Sequence, residues 1–266
     1  MCNNKAFRYT FQTEILRNEQ IAEGIYILET RYLEEAIPGQ FVNLYLNRQD
    51  LLLPRPVSIC RLDDKKASFV YRIEGAGTKE LSLYSEGDSL RVSTPFGNGF
   101  DLSKTQGKSA LIVGGGIGIP PLLELTYQLR YMDISVSAVL GYKETPFLAE
   151  EFVKAGAVVH VATDSGRYGF KGTVLHLIKG NNINENLSSE DVACFACGPR
   201  PMLKAISQYC MQKDIEVQVS MEERMGCGFG ACVGCVCKIR TGMGIEQKRV
   251  CRDGPVFDGS EVIWDA

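Results

Sequence analysis

Ser109-Ala110-Leu111-Ile112-Val113 runs directly into Gly114-Gly115-Gly116-Ile117-Gly118-Ile119-Pro120-Pro121, and a helical stretch continues to Tyr131. A short apolar run, a glycine turn and then a helix is how a βαβ unit begins. Glycines in that turn permit a tight bend and let a pyrophosphate approach the helix N-terminus. Pro121 suits the first helical turn, where its missing N–H costs nothing. The strict G-x-G-x-x-G fingerprint fails, because Ile119 stands where the third glycine should be, counting from Gly114. No acid closes the next strand at Leu140-Gly141-Tyr142 either. On this motif alone, a plain structural turn explains the glycines as well as a nucleotide site does.

Downstream the alternation continues. Segments 135–140, 149–154, 158–162, 173–178, 192–196, 203–212 and 216–219 alternate between strand-like and helix-like patterns, the rhythm of a mostly parallel sheet. Residues 181–186 read as a polar loop. Ala196-Cys197-Gly198-Pro199-Arg200-Pro201-Met202 follows an apolar run and precedes a helix, which puts it at the C-terminal edge of the sheet, where open α/β sheets bind ligands. Cys197 also fits a plain buried small hydrophobe.

Upstream of Gly107 the texture is β. Segments 7–16, 25–29, 41–46, 67–73 and 89–93 carry alternating or β-branched patterns separated by turn signals, among them Pro38-Gly39-Gln40. Many short strands with Gly- and Pro-marked turns predict a small antiparallel barrel, with one short helix over 78–84. Within it, Arg55 beside Ser58 in Leu53-Pro54-Arg55-Pro56-Val57-Ser58 offers a guanidinium fork and a hydroxyl suited to phosphate. Gly75-Ala76-Gly77-Thr78 offers amides and a hydroxyl at a helix start. The bland alternatives are a surface ion-pair partner and an ordinary turn.

The tail carries the most specific pattern. Cys227, Cys232 and Cys235 are spaced C-x4-C-x2-C, and Cys251 follows sixteen residues later. This is the plant-type ligand spacing of a [2Fe–2S] cluster. Gly226, Gly228, Gly230 and Gly234 let the loop adopt positive φ and turn amides towards the sulfurs. Cys237 is expected to face away from Cys235, and Cys2, Cys60, Cys194 and Cys210 to be structural. Little other periodicity appears after residue 217, so the metal site is expected to organise that segment.

Composition sets outer bounds. The chain has 266 residues, ten cysteines and a net charge of −3, with no basic patch to suggest nucleic acid. No run of eighteen apolar residues is present, so no membrane helix is expected. The first residues carry no basic-then-apolar leader, and a cytoplasmic location is expected. Without a secretory leader, ten cysteines point to metal rather than to disulfides.

Taken in this order, the motifs resemble the ferredoxin–NADP reductase superfamily. Arg55-Pro56-Val57-Ser58 is similar to its flavin-binding R-x-Y/F-S motif, with Val57 replacing the aromatic. The glycine loop is similar to its G-G-x-G-x-x-P loop, and Cys197–Met202 to its C-G-P-x-x-M motif. The tail, with Asp253-Gly254-Pro255-Val256-Phe257 after the fourth cysteine, resembles that of the electron-transfer subunits of bacterial NAD-linked, type B dihydroorotate dehydrogenases. The resemblance covers essentially the whole chain.

That resemblance implies a multidomain fold. It comprises an antiparallel β-barrel FAD domain (1–105), an α/β parallel-sheet nicotinamide-binding domain (106–217) and a small C-terminal [2Fe–2S] domain (218–266). Arg55 would hold the FAD pyrophosphate, with Pro56, Val57 and Ser58 beside it. Tyr71, Arg72 and Ile73 would line the flavin, and Gly77 with Thr78 would meet its phosphates. Gly115, Gly116 and Gly118 would hold NAD, and Cys197 would sit at the nicotinamide as the catalytic residue. Cys227, Cys232, Cys235 and Cys251 would ligate the cluster. Glu222 and Glu223 read as a solvated acidic pair.

The implied activity is an electron relay between NAD(H), FAD and the cluster. It serves an FMN-containing dihydroorotate dehydrogenase catalytic subunit in pyrimidine biosynthesis, as a heterotetramer of two plus two. No dihydroorotate oxidation is expected of the chain alone. The residues by themselves do not decide between NAD and NADP. The alternatives are a small subunit of an NADPH:ferredoxin or sulfide oxidoreductase and a structural module holding zinc on the same cysteines.

Overall fold

The computed structural model describes residues 9–32, 34–180 and 191–264. The first residues of the strand expected from 7, the polar loop 181–186 and Cys2 lie outside them. The N-terminal strands are β1 (Thr10–Ala22), β2 (Ile25–Arg31), β3 (Phe41–Tyr45), β4 (Arg55–Asp63) and β5 (Lys66–Arg72), then helix α1 (Ala76–Leu81) and β6 (Ser89–Ser93). They close into an antiparallel barrel in the order β1-β2-β5-β4-β3-β6. Ile15, Leu28, Val42, Leu44, Phe69 and Leu90 fill its interior.

β3 reads Phe41-Val42-Asn43-Leu44 and is buried on both faces. Val42 and Leu44 point into the barrel, whereas Phe41 joins a core shared with the C-terminal segment. β4 falls in a stretch to which the sequence pattern assigned no strand. It nevertheless pairs with β3 in the register Val42–Val57, Asn43–Pro56 and Leu44–Arg55.

The second body holds β7 (Ser109–Gly115), α2 (Pro121–Tyr131), β8 (Val136–Tyr142), α3 (Ala149–Lys154), β9 (Val158–Thr163), β10 (Phe170–Lys171), α4 (Val174–Gly180), β11 (Val192–Cys197), α5 (Arg200–Gln212) and β12 (Val217–Ser220). Alternate residues of β7 serve different cores. Ala110 and Ile112 face the α2 and α3 side, and Leu111 and Val113 face the α4 and α5 side. Coverage on both faces is why the run is apolar without alternation. The sheet order is β10-β9-β8-β7-β11-β12, all parallel, so the chain reverses direction of winding between β7 and β11. A crevice opens at the carboxyl ends of such a pair of strands.

The tail has more regular structure than its sequence advertised. β13 (Val236–Thr241) and β14 (Gly244–Arg249) form a hairpin, followed by α6 (Val250–Asp253) and β15 (Val256–Asp258). β15 then pairs antiparallel with β12 and becomes the edge of the second sheet. The cysteine segment is thus pinned by backbone pairing as well as by whatever its sulfurs bind. Among the described residues no helix is long and apolar enough to cross a membrane.

Candidate functional site

Two stretches far apart in sequence meet on the barrel. A side chain at Gly77 would overlap the Arg55 guanidinium, whose atoms lie 1.9–2.3 Å from where a Cβ would be built. The missing side chain therefore makes the hollow that receives Arg55. Arg55 donates to the carbonyl oxygens of Leu51 and Leu53. Thr78 Oγ1 accepts from the N–H groups of Glu74 (2.9 Å) and Gly75 (3.2 Å), which fixes the turn into α1. Arg55, Pro56, Val57 and Ser58 are all half-buried, an open strip on an otherwise closed barrel. A cationic fork in a glycine hollow beside an open strip fits a dinucleotide with an anionic pyrophosphate.

The rest of this group divides. Tyr71 is buried, donates its hydroxyl to Asn18 Oδ1 (2.9 Å) and stacks on Tyr26, so its ring belongs to the barrel. Arg72 is exposed and paired with Glu74, and Ile73 is half-buried at the strand end.

At the sheet's switch point the two glycine motifs interlock. A Cβ on Gly118 would meet Gly198 Cα and N at 2.5 Å, and one on Gly115 would meet Met202 Sδ at 2.5 Å. Gly118 is thus required by backbone-on-backbone packing against the Cys197–Gly198 turn and Gly115 by the Met202 and Pro199 side chains, whereas Gly116 alone of the three takes a positive φ, 53°. Register puts Cys197 between Gly114 on one side and Ser220 on the other. Burial pushes the Cys197 thiol well above its ordinary pKa, the charge of Glu222 adds to this, and a hydrogen bond with Ser220 opposes it. It is a neutral thiol beside the crevice, not a thiolate.

The cysteine loop is organised around one sulfur. Cys227 Sγ accepts from the N–H groups of Ala231 (3.3 Å), Cys232 (3.4 Å) and Phe229 (3.5 Å). Partial burial raises its pKa, but the three amides outweigh that and bring it down to about 6. Cys235 Sγ accepts from the Cys251 N–H (3.4 Å). Among the described residues no three His, Cys, Asp or Glu side chains gather as ligands of a single ion. Instead the cysteines associate in pairs through their backbone, the Cys232 N–H on Cys227 Sγ and the Cys251 N–H on Cys235 Sγ. Two thiolate pairs are what a two-iron cluster takes, one pair per iron.

Two expectations for this loop are corrected. Of its glycines only Gly228 (φ 72°) and Gly230 (φ 93°) are left-handed. Gly226 and Gly234 lie against Cys232 Sγ, where Cβ atoms would sit in ordinary contact at 3.4 and 3.5 Å, and Val233 takes the third positive φ, 56°. Cys237 does not turn away from Cys235. Residues two apart on a strand share a face, and both thiols are buried in the same core. Burial, followed by the charge of Glu223, pushes Cys237 up to about 11.

Two residues of these junctions were not singled out in the sequence, and a third, Glu222, was read differently. Asn43 reaches from β3 to the Cys227 carbonyl oxygen (3.4 Å). Glu124 of α2 binds the end of β4. Glu222 and Glu223 do not act as a pair: Glu223 bonds Arg200 (3.2 Å), while Glu222 keeps an exposed side chain whose pKa is raised by the protein packed around the carboxyl, against the pull of Arg72 and with Glu74 adding to the rise. The only signals available were a lone polar residue inside the apolar runs 41–44 and 122–125, and an acid just past a strand end.

Comparison with known proteins places this geometry. Residues 222–263 match the family model described as the iron–sulfur cluster binding domain of dihydroorotate dehydrogenase B. A Geobacillus protein named the electron transfer subunit of dihydroorotate dehydrogenase B (NAD(+)) is 45% identical over 95% of this chain and 98% of its own. Its namesake from Caldanaerobacter subterraneus is 39% identical over 97% of this chain and 100% of its own. Among solved structures, an NADH-dependent reduced ferredoxin–NADP oxidoreductase superposes with a TM-score of 0.82 at 28% identity, covering 95% of this chain and 90% of the other. A ferredoxin NADP+ reductase from Neisseria gonorrhoeae shares the fold at a TM-score of 0.65 and 16% identity, over 77% of this chain and 91% of the other.

Proposed function

The chain belongs to the family of electron-transfer subunits of the NAD-linked dihydroorotate dehydrogenase B, and from that premise we propose how its residues divide the relay. It is an oxidoreductase subunit using FAD, an iron–sulfur cluster and NAD, and its family name implies a catalytic partner subunit. Bound FAD supplies the exchange between a hydride, which carries two electrons, and the single electrons that a cluster handles.

In this reading residues 1–105 hold FAD, 106–217 hold NAD, and 218–266 hold the cluster. Arg55 neutralises the FAD pyrophosphate in the hollow over Gly77, with Thr78 alongside. Pro56, Val57 and Ser58 form the strip on which the ring system rests, and Arg72 with Ile73 closes its edge; Tyr71 supports this edge from within the barrel. Gly115, Gly116 and Gly118 let the NAD pyrophosphate approach the backbone at the switch point. Cys197 holds a proton on sulfur at the nicotinamide end, a neutral surface against which the transferring carbon can pack. Cys227 with Cys232, and Cys235 with Cys251, bind the irons of a [2Fe–2S] cluster, and the amides around Cys227 stabilise its thiolate. The partner is an FMN-containing catalytic subunit that oxidises dihydroorotate, assembled two plus two in the cytoplasm.

The observation that carries this reading is adjacency. β3 lies beside the Arg55–Ser58 strip of β4 and also under the Cys227–Gly228 turn, so the two electron sites share one strand as their wall. Purification of the native complex, with visible absorption, flavin identification and iron analysis, tests it. FAD, FMN and two irons per relay subunit are expected, with NAD⁺ reduction dependent on dihydroorotate. A colourless chain holding one zinc, or dihydroorotate oxidation by this chain alone, would refute it.

A further inference from the structure

Asn43 is a polar residue in an apolar strand, and it is fully buried, at 0% exposure. Its backbone N–H donates to Ser93 Oγ (2.9 Å), which secures the residue to β6. Its side-chain Nδ2 donates across to the Cys227 carbonyl oxygen (3.4 Å). Its Oδ1 has no hydrogen-bond partner among the described residues. Leaving a buried acceptor unpaired costs about 1–3 kcal/mol, a cost that a valine or threonine on the same strand would reduce or avoid.

The shape of the neighbour shows what the amide is fitted to. Gly228 sits at φ 72°, and a Cβ there would fall 2.3 Å from Asn43 Oδ1 and 2.6 Å from Nδ2. The carboxamide therefore occupies the space that a side chain at residue 228 would take. The Cys227–Gly228 turn begins at the residue whose sulfur collects the amides of Phe229, Ala231 and Cys232. On the other side, Asn43 is registered directly opposite Pro56, inside the Arg55–Ser58 strip.

We propose that Asn43 is a positioning residue for electron transfer: its carboxamide fixes the Cys227–Gly228 turn at one distance from the β4 strip, and so sets how fast single electrons cross between flavin and cluster. The inference rests on the cofactor placement given above. No proton or bond changes at Asn43; one electron crosses at a time, and two crossings balance one hydride at NAD. The residue acts through Cys227 and not on either cofactor's chemistry.

Asn43→Ala and Asn43→Asp test it in the complete complex. Expected are FAD and iron contents equal to wild type, flavin reduction by NADH at the wild-type rate in rapid mixing, and cluster reduction severalfold slower than wild type. The EPR lines of the reduced cluster should shift or broaden in both variants. In Asn43→Asp, which keeps the volume but loses the donor and adds charge, the cluster should also become harder to reduce. Unchanged cluster reduction and unchanged EPR lines in both variants would overturn the proposal. So would loss of flavin and iron together, which would mark Asn43 as a general folding residue. Loss of iron alone, with flavin kept and normally reduced, would also overturn it, because Asn43 would then be needed to retain the cluster and not to set its distance. A wild-type complex lacking FAD or iron would instead overturn the cofactor placement on which it rests.

Discussion

The barrel is joined to the rest of the molecule along two seams of opposite character. Against α2 the seam is ionic and buried. Arg61 Nη1 lies 2.8 Å from Glu124 Oε2, the Leu62 N–H donates to the same carboxylate (2.9 Å), and Gln128 donates to its other oxygen (2.7 Å). Arg61 also stacks over Tyr127 at 4.0 Å. Against the tail the seam is neutral. Asn98 Nδ2 donates to the Val256 carbonyl oxygen (2.8 Å), Val256 N–H donates to Asn98 Oδ1 (3.0 Å), Asn98 N–H donates to the Gly254 carbonyl oxygen (2.7 Å), and Asn43 donates to that of Cys227. Amides on backbone carbonyls hold the cysteine segment without placing a formal charge among these contacts, whereas the α2 seam uses a full ion pair. An ion pair fails abruptly when one partner is removed, and a row of neutral bonds fails one bond at a time.

The ionic seam should give the largest effect. Glu124→Ala leaves Arg61 and the Leu62 N–H without their acceptor, in a site where the carboxylate is 3% exposed. It should lower unfolding free energy by about 3–5 kcal/mol in urea titration. The paired replacement Arg61→Met with Glu124→Leu should recover most of that loss, because two well-packed apolar groups carry no desolvation cost. If Glu124→Ala were as mild as a surface change, the contrast between the seams would collapse. Next comes Gly228→Ala in the neutral seam. Its φ of 72° alone costs a side chain about 1–2 kcal/mol, and the new methyl would collide with Asn43. Iron retention measured beside thermal melting should show the tail affected more than the barrel.

How far these seams could be foreseen depends on what signals them. The helix Pro121–Tyr131 and the strand Ser89–Ser93 fall where the sequence pattern sets them, because glycine and proline punctuate both. The residues that hold the pieces together are harder to see. Asn43 and Glu124 are single polar residues in apolar runs, and nothing local says whether such a residue faces solvent, a partner or a cavity. β15 is three residues long, too short for any period to show, yet it ties the tail to the second sheet. Conversely, Arg55 and Gly77 each stood out in the sequence, but their meeting at the start of α1 needed the barrel to close. The cysteine spacing was legible because ligand spacing is itself local; the pairing of its sulfurs was not.

The two smallest effects sharpen the comparison. Asn98→Ala removes three side-chain bonds from an exposed site and should cost about 1 kcal/mol, read as a lowered urea midpoint with cluster absorbance retained. A cost several times larger would mean that the neutral seam also fails abruptly. Smaller still is Glu222, where the seams approach each other: Arg72 and Glu74 of the barrel act on it, and it acts on Cys197 of the sheet. Desolvation holds its carboxyl above the usual glutamate range, so folding favours the protonated form. The stabilisation is complete below the ordinary glutamate pKa, about 4.3, and disappears as pH rises through the raised folded value. Relative to Glu222→Gln, which cannot ionise, wild type should therefore lose stability as pH climbs from about 4 towards 7. A urea midpoint difference that stays flat across that range would show that Glu222 is solvated as fully in the folded chain as in the unfolded one.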